Sequence, residues 1–183
     1  MVGYAVTGRI RTASAPTARY WYYDRLDWWE YLTTIPEPRV IVLEDLDAKP
    51  GFGALFGEIH AQIGRALGCV GYVTNGAVRD LPGIARTGFH LFAAGISVSH
   101  AYAHVVDFGG PVEVGAMRVK PGDLLHGDLH GVVSVPAAIA GEIPRVAAEL
   151  AAQERELIEL CRSPQFTIGR LRNQIERTRY VPK

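Results

Sequence analysis

The sequence predicts an α/β domain with a C-terminal helical extension, and three observations carry this. Residues 39–74 read strand, helix, strand within about 35 residues, the length of a βαβ unit with parallel strands. From 89 to 136 the runs FHLFAAG, SHAYAHVVDF, PVEVGAMRV, DLLHGD and GVVSVP are short and strand-like, and Gly, Pro and Asp separate them. Beyond Pro136 the texture turns helical. A chain of 183 residues and 20.0 kDa is long enough for one core and short for two. The expected organisation is one domain over 1–162 and a basic helical tail over 163–183.

Taken in order, Val2–Thr7 is a strand that starts at once, so we expect a further N-terminal segment to be absent here or supplied by a neighbour. Residues 19–32, RYWYYDRLDWWEYL, hold seven aromatics and read as a strand end followed by a short helix, suited to core or subunit packing or to stacking on a ligand. Pro36-Glu37-Pro38 makes a turn, and RVIVLED (39–45) is a buried strand ending in acids. In 54–67 Leu55, Ile59, Ile63 and Leu67 recur every fourth residue, which predicts a helix with that face inward, and Gly68 is a stop. CVGYVT (69–74) is the next strand, and Asn75-Gly76 reads as a turn. Pro121-Gly122-Asp123 and Asp128–Gly131 are further turns. A short helix after Pro136 is interrupted by Pro144, and a longer one covers about 144–161. Ser163-Pro164 has the form of an N-cap with Pro at the first helical position. The last stretch sets Arg170, Arg172, Arg177, Arg179 and Lys183 against Glu176, a pattern for a solvated or subunit-bridging helix, or for one that binds RNA or an acidic partner.

Composition excludes several classes. Lys plus Arg is 19 and Asp plus Glu is 19, so the chain as a whole is neither a basic DNA binder nor an acidic tail. No apolar run approaches membrane-spanning length, and the N-terminus lacks the apolar core of a signal peptide. Cys69 and Cys161 lie far apart without metal-site spacing, so a reducing cytoplasm is the expected location. No nucleophile elbow, P-loop or dinucleotide fingerprint is present.

Residues 57–80, GEIHAQIGRALGCVGYVTNGAVRD, hold the most chemistry. Gly57 and Glu58 start the helix, where backbone N–H groups lack intrahelical partners and favour an anion such as a carboxylate. Arg79 and Asp80 lie just past the following strand, and in a βα unit both ends face one edge of the sheet. Arg79 would bind a planar carboxylate through its fork, and a carboxylate beside it would hold a hydrated divalent cation. That set suits an oxo acid whose enolate must be stabilised. The alternative is that Arg79 and Asp80 simply pair or cap a helix. His60, beside Glu58, is a further candidate for proton transfer or substrate contact. The spacings His100/His104 and His126/His130 would suit zinc on a helix, but both fall in strand or turn texture. Cys69 sits in a buried strand and reads as inert core.

The run GCVGYVTNGAVRD resembles the "GvaGvVvdGavRD" signature of the RraA-like family. That family includes class II 4-hydroxy-4-methyl-2-oxoglutarate aldolases and the regulator of ribonuclease activity A, and many members carry an older label as demethylmenaquinone methyltransferases. The resemblance extends to Val2–Thr7, to PEPRVIVLED (36–45), to Gly57-Glu58 at its spacing before Arg79-Asp80, and to VKPGD (119–123) and DLHGVVSVP (128–136), so it covers about residues 2 to 160. It implies a swivelling β/β/α domain assembled as a homotrimer or a hexamer, with the active site between subunits. Carried over by position, Arg79 would contact the carboxylate and oxo group of a pyruvate-like unit. Asp80 would be the protein ligand of Mg²⁺ or Mn²⁺, and Glu58 would orient a water on the ion. The backbone N–H groups of Ile59 and His60, next to Gly57, would receive the substrate carboxylate. The implied reaction is retro-aldol cleavage of a 4-hydroxy-2-oxo acid to pyruvate, with oxaloacetate decarboxylation as a side activity. The alternative implied by the same family is a non-enzymatic regulator that binds a ribonuclease or a helicase.

This sequence departs from the family pattern at named positions. Asn75 stands where an Asp is usual, Gly83 where an acid often follows Arg-Asp, and Ala94 where a second arginine is frequent. The helices that usually precede the first strand are missing. A neighbour's acidic residue completes some aldolase sites, and Glu142, Glu149, Glu154, Glu156 and Glu159 are the candidates here.

Overall fold

A computed structural model describes residues 1–16 and 25–178, so the aromatic run is described only from Arg25. The chain divides into two compact units, Met1–Pro136 and the segment from Ala137 onward.

The first unit opens with β1 (Val2–Arg11), α1 (Leu26–Thr33), β2 (Arg39–Asp45), α2 (Glu58–Ala66), β3 (Cys69–Val78), α3 (Leu81–Thr87) and β4 (His90–Ile96). β5 (His104–Phe108), β6 (Val112–Val114), β7 (Met117–Val119), β8 (Leu124–Asp128) and β9 (Gly131–Val135) complete it. The main sheet runs β4-β3-β2-β1-β8-β9, and β5 also pairs with β1. β1 to β4 pair in parallel, as the βαβ reading requires, and β5, β8 and β9 pair antiparallel. β6 and β7 form a separate two-stranded ribbon.

Alternation along each strand builds a core on both faces of the sheet. Val6, Ile41, Leu43 and Tyr72 join Trp28, Leu32, Ala61 and Ile84 from the helices. Ala5, Val40, Val42 and Val73 join Val112, Val114 and Val119 from the β6–β7 ribbon. Helices, sheet and ribbon are therefore three layers, the β/β/α arrangement expected above. Because β2 is covered on both sides, it reads as an unbroken apolar run.

Two expectations inside this unit are corrected. The inward face of α2 is His60, Ala61 and Gly64, whereas Ile59 is 53% exposed and Leu55 precedes the helix. Small residues decide this face, because they let the helix lie close to its neighbours. A Cβ at Gly64 would already touch Phe89 at 3.4 Å. Asn75-Gly76 is not a turn but lies within β3, where the pairing with β4 shifts register between Thr74 and Ala77. The Asn75 amide takes over from the ladder: its Oδ1 accepts from Asp45 N–H at 2.7 Å and its Nδ2 donates to Asp45 C=O at 3.0 Å. Gly76 fits because a Cβ there would lie 3.1 Å from Asp45 Oδ2. Asn75→Ala should therefore cost about 1–2 kcal/mol of stability, since two strand-bridging groups lose their partner. Urea unfolding at pH 7 checks this.

Arg39, at the start of β2, is buried and ties the ends of α1 and α2 together. It donates to the carbonyls of Ile35 at 2.5 Å and Thr33 at 3.3 Å, to that of Leu67, and to Glu37 Oε1 at 3.0 Å. Gly68, at φ +71°, supplies the left-handed residue that ends α2, as the sequence predicts.

The second unit holds α4 (Ala137–Ala140), α5 (Ile143–Arg162) and α6 (Ile168–Thr178). The break expected near Pro144 separates α4 from α5. Ser163 is corrected from an N-cap to the residue that ends α5, in the extended conformation that a following proline favours. Its Oγ accepts from Gln165 N–H at 3.0 Å, and Thr167 is the residue that caps α6, accepting from Arg170 N–H at 3.2 Å. Arg145 pairs with both Glu142 and Glu149 along α5.

Candidate active site at the C-terminal edge of the parallel strands

In the β2-α2-β3 unit the start of α2 and the end of β3 reach the same edge. Phe56 makes a parallel bridge to Val78, and Arg79 N–H donates to Phe56 C=O at 3.1 Å. This sets Gly57 beside Arg79 and Asp80. Gly57 is in extended backbone, which any residue adopts, so its need for glycine is space. A Cβ there would lie 2.5 Å from Asp80 Oδ2 and 2.8 Å from Arg79 Cζ.

Asp80 sits at the N-cap of α3 with φ +58°, a left-handed conformation that aspartate tolerates better than most residues. Its carboxylate does not cap its own helix. The left-handed turn sends it back to α2, where Oδ2 accepts from Glu58 N–H at 3.1 Å and from Arg79 Nη1 at 2.7 Å. Asp80 is 41% exposed and the Arg79 side chain 17%. A guanidinium, a carboxylate and a helix N-terminus thus meet at one mouth. The N–H groups of Ile59 and His60 lie in the same first turn, ahead of the first intrahelical bond, from Ala61 N–H to Gly57 C=O.

The remaining candidates divide. The Glu58 carboxylate leans toward α3, where Arg86 Nη2 is 3.6 Å away. His60 puts its ring into the core, with centroids 5.6 Å from Trp29 and 5.9 Å from Phe56, and burial lowers its pKa to about 4. A general-base role for that ring is therefore corrected to core packing. Only its backbone faces the site. Cys69 is buried, which pushes its thiol up to about 12 and makes it inert. His104 and His126 lie in strands, and neither histidine pair lies on a helix. Among the described residues no group of three His, Cys, Asp or Glu side chains comes together. No helix of the described residues is long and apolar enough to cross a membrane. A cavity of about 490 Å³ lies at the opposite edge, lined by Glu37, Arg65, Cys69, Phe89 and His90, and takes no part in this cluster.

Sequence reasoning missed the apolar rim of the mouth. Phe52, Ile59, Ile96 and Val98 are exposed at this end of the sheet, Val98 fully. Ile96 pairs with Val78, and Ser97 Oγ reaches Phe52 C=O at 3.4 Å. Phe52 and Val98 stand among Gly and Ser, Ile96 ends the edge strand β4, and Ile59 shares a spacing that points inward, so no apolar run announces the rim.

A family model described as RraA-like, Aldolase/RraA, matches residues 1–134. A protein of Halalkalibacterium halodurans named "Putative 4-hydroxy-4-methyl-2-oxoglutarate aldolase" is 29% identical over 84 residues, 45% of this chain. The match spans 40% of that relative's length. An uncharacterized protein of Pseudomonas syringae has a similar solved structure, with a TM-score of 0.71 at 24% identity over 94% of this chain and 75% of the other. A Streptomyces coelicolor structure, described as an unusual member of the RNase ES inhibitor RraA protein family, has a TM-score of 0.64 at 24% identity, covering 84% of this chain and 74% of its own. At that identity the structural likeness is one of fold.

Proposed function

This chain belongs to the RraA-like family, and on that premise we propose that the Gly57–Glu58 and Arg79–Asp80 cluster is the active site of a carbon–carbon lyase that acts on small oxo acids. The observation that supports this most is the hollow at Gly57, where Arg79, Asp80 and the start of α2 meet at 2.7 and 3.1 Å. The donor set fits Mg²⁺ or Mn²⁺. One half-exposed carboxylate offers hard oxygen, and its exposure to solvent suits an ion that keeps several of its waters. Asp80 would hold the ion, which supplies Lewis-acid polarisation of the substrate's 2-oxo group when bound.

The chain's own residues do the rest. Arg79 clamps the carboxylate and oxo oxygens of the substrate and offsets the negative charge that develops there. The N–H groups of Ile59 and His60 receive the carboxylate, aided by the helix dipole. Glu58 orients a water that takes the proton of the 4-hydroxyl. The C3–C4 bond then breaks, its electron pair forms the enolate of pyruvate, and a proton returns to C3. Loss of carbon dioxide from oxaloacetate forms the same enolate. The exposed rim of Phe52, Ile59, Ile96 and Val98 supports closure of the mouth by a second copy in a homotrimer or hexamer. Both cysteines are free, which suits the cytoplasm.

A coupled assay for pyruvate release tests this with 4-hydroxy-4-methyl-2-oxoglutarate and with oxaloacetate. Turnover is expected with Mg²⁺ or Mn²⁺ and should vanish on chelation. No metal-dependent pyruvate from either substrate would count against the reading.

A second reading is a regulator that binds a ribonuclease or helicase. Its support is α6, where Arg170, Arg172 and Arg177 are exposed against the lone acid Glu176. Reversing the three arginines to glutamate should then abolish capture of such a partner and leave the fold intact, with thermal melting close to that of the wild type.

A further inference from the structure

We infer that Gly83 is a positioning residue, whose missing side chain seats the Glu58 carboxylate at the mouth with Arg86 as its counter-charge. This rests on the role proposed above for Glu58. Gly83 is buried within α3, where glycine is a poorer helix former than alanine. Its φ is not positive, so the backbone does not require glycine. The remaining reason is space. A Cβ on Gly83 would lie 2.2 Å from Glu58 Oε2, 2.4 Å from Cδ and 3.0 Å from Cγ, and these are the three nearest atoms. The hollow thus admits one group, the Glu58 carboxyl. Three residues on along α3, Arg86 Nη2 lies 3.6 Å from the other oxygen, Oε1. The carboxylate is held between bare helix backbone and a guanidinium, just as Gly57 opens room for Asp80 and Arg79. Gly83 stands where an acid often follows Arg-Asp in the family pattern, so Glu58 leans into space such a side chain would fill.

Because Glu58 is flexible at its far end, Gly83→Ala should displace the carboxylate rather than unfold the chain. The test uses the full-length protein, with Gly83→Ala made in the wild type and in Glu58→Ala, and Arg86→Gln beside Arg86→Lys. In the wild type, Gly83→Ala should lower kcat on 4-hydroxy-4-methyl-2-oxoglutarate, whose 4-hydroxyl must lose a proton, about 10-fold with little change in KM. In the Glu58→Ala background the same substitution should change kcat less than about 2-fold, because the two act as one unit. Arg86→Gln should lower kcat, and Arg86→Lys should restore most of it.

A second readout does not depend on activity. The added Cβ must push the Glu58 carboxylate aside in the wild type and meets no such obstacle once that side chain is gone. Gly83→Ala should therefore raise Tm by about 2 °C in Glu58→Ala and by less, or not at all, in the wild type. Equal Tm changes in the two backgrounds would overturn the inference, as would equal kcat losses. A wild type without turnover would defeat the proposed activity, and the Tm comparison would still decide the placement of Glu58.

Discussion

Asp80→Asn is expected to lower pyruvate release by about 10³-fold while leaving the melting temperature close to that of the wild type. Asparagine keeps the shape, tolerates the left-handed backbone at φ +58°, and retains an oxygen to accept from Glu58 N–H and Arg79 Nη1. What it loses is the negative charge, the feature that a cation requires. The pairing with Arg79 contributes little to stability, because Asp80 is 41% exposed and α3 gains no cap from it. Asp80→Ala should lose activity to the same degree and some stability besides, since alanine is strained at positive φ. Arg79→Lys keeps the charge and removes the fork, so it should raise KM at least as much as it lowers kcat. The coupled pyruvate assay and thermal melts on the same preparations separate these effects. Full turnover by Asp80→Asn would remove Asp80 from the chemistry.

The order of elements was legible because periodicity and punctuation agree along most of the chain. RVIVLED announces a strand buried on both faces, and Arg79 and Asp80 follow the next strand at the edge where a βα unit presents its ends. What escaped the sequence is decided by contacts across the fold. Asn75-Gly76 carries the strongest local turn signal in the segment, yet the amide of Asn75 finds the backbone of Asp45 at the end of β2 and the chain runs on as β3. The buried face of α2 is set by close approach at Ala61 and Gly64, which an apolar tally overlooks in favour of Ile59. Ser163-Pro164 has the composition of a helix start, but its extended backbone ends α5, and Thr167 caps the next helix. At the site, Gly83 registers in the sequence only as a departure from a pattern. Its steric role appears once α2 and α3 are side by side.

Acid should destabilise the protein well before its carboxylates are titrated, and His60 is the reason. The ring is buried between Trp29 and Phe56, and desolvation lowers its pKa from the ordinary 6.5 to about 4. Between those values the unfolded chain binds a proton that the folded chain refuses. Stability therefore falls as pH drops from about 6.5 to about 4, by about 3 kcal/mol in all, and the loss levels off below. Asp45 works in the opposite sense. Its burial raises its carboxyl, so its contribution is present at low pH and is lost as pH rises through its folded value. Burial pushes the Asp47 carboxyl up, but the hydrogen bonds it accepts, led by the N–H groups of Thr12 and Ala13, together outweigh this and hold it below the ordinary range, so its contribution is lost only at still lower pH. Desolvation of His60 thus sets the sign of the slope in mildly acidic solution. His60→Leu, of similar volume and without a proton to bind, should match the wild type within about 1.5 kcal/mol at pH 7.5. At pH 4.5 it should gain about 2–3 kcal/mol relative to the wild type. Urea unfolding of both proteins at pH 7.5, 6.0 and 4.5 measures this, and parallel curves for the two would show that the ring takes up its proton while folded.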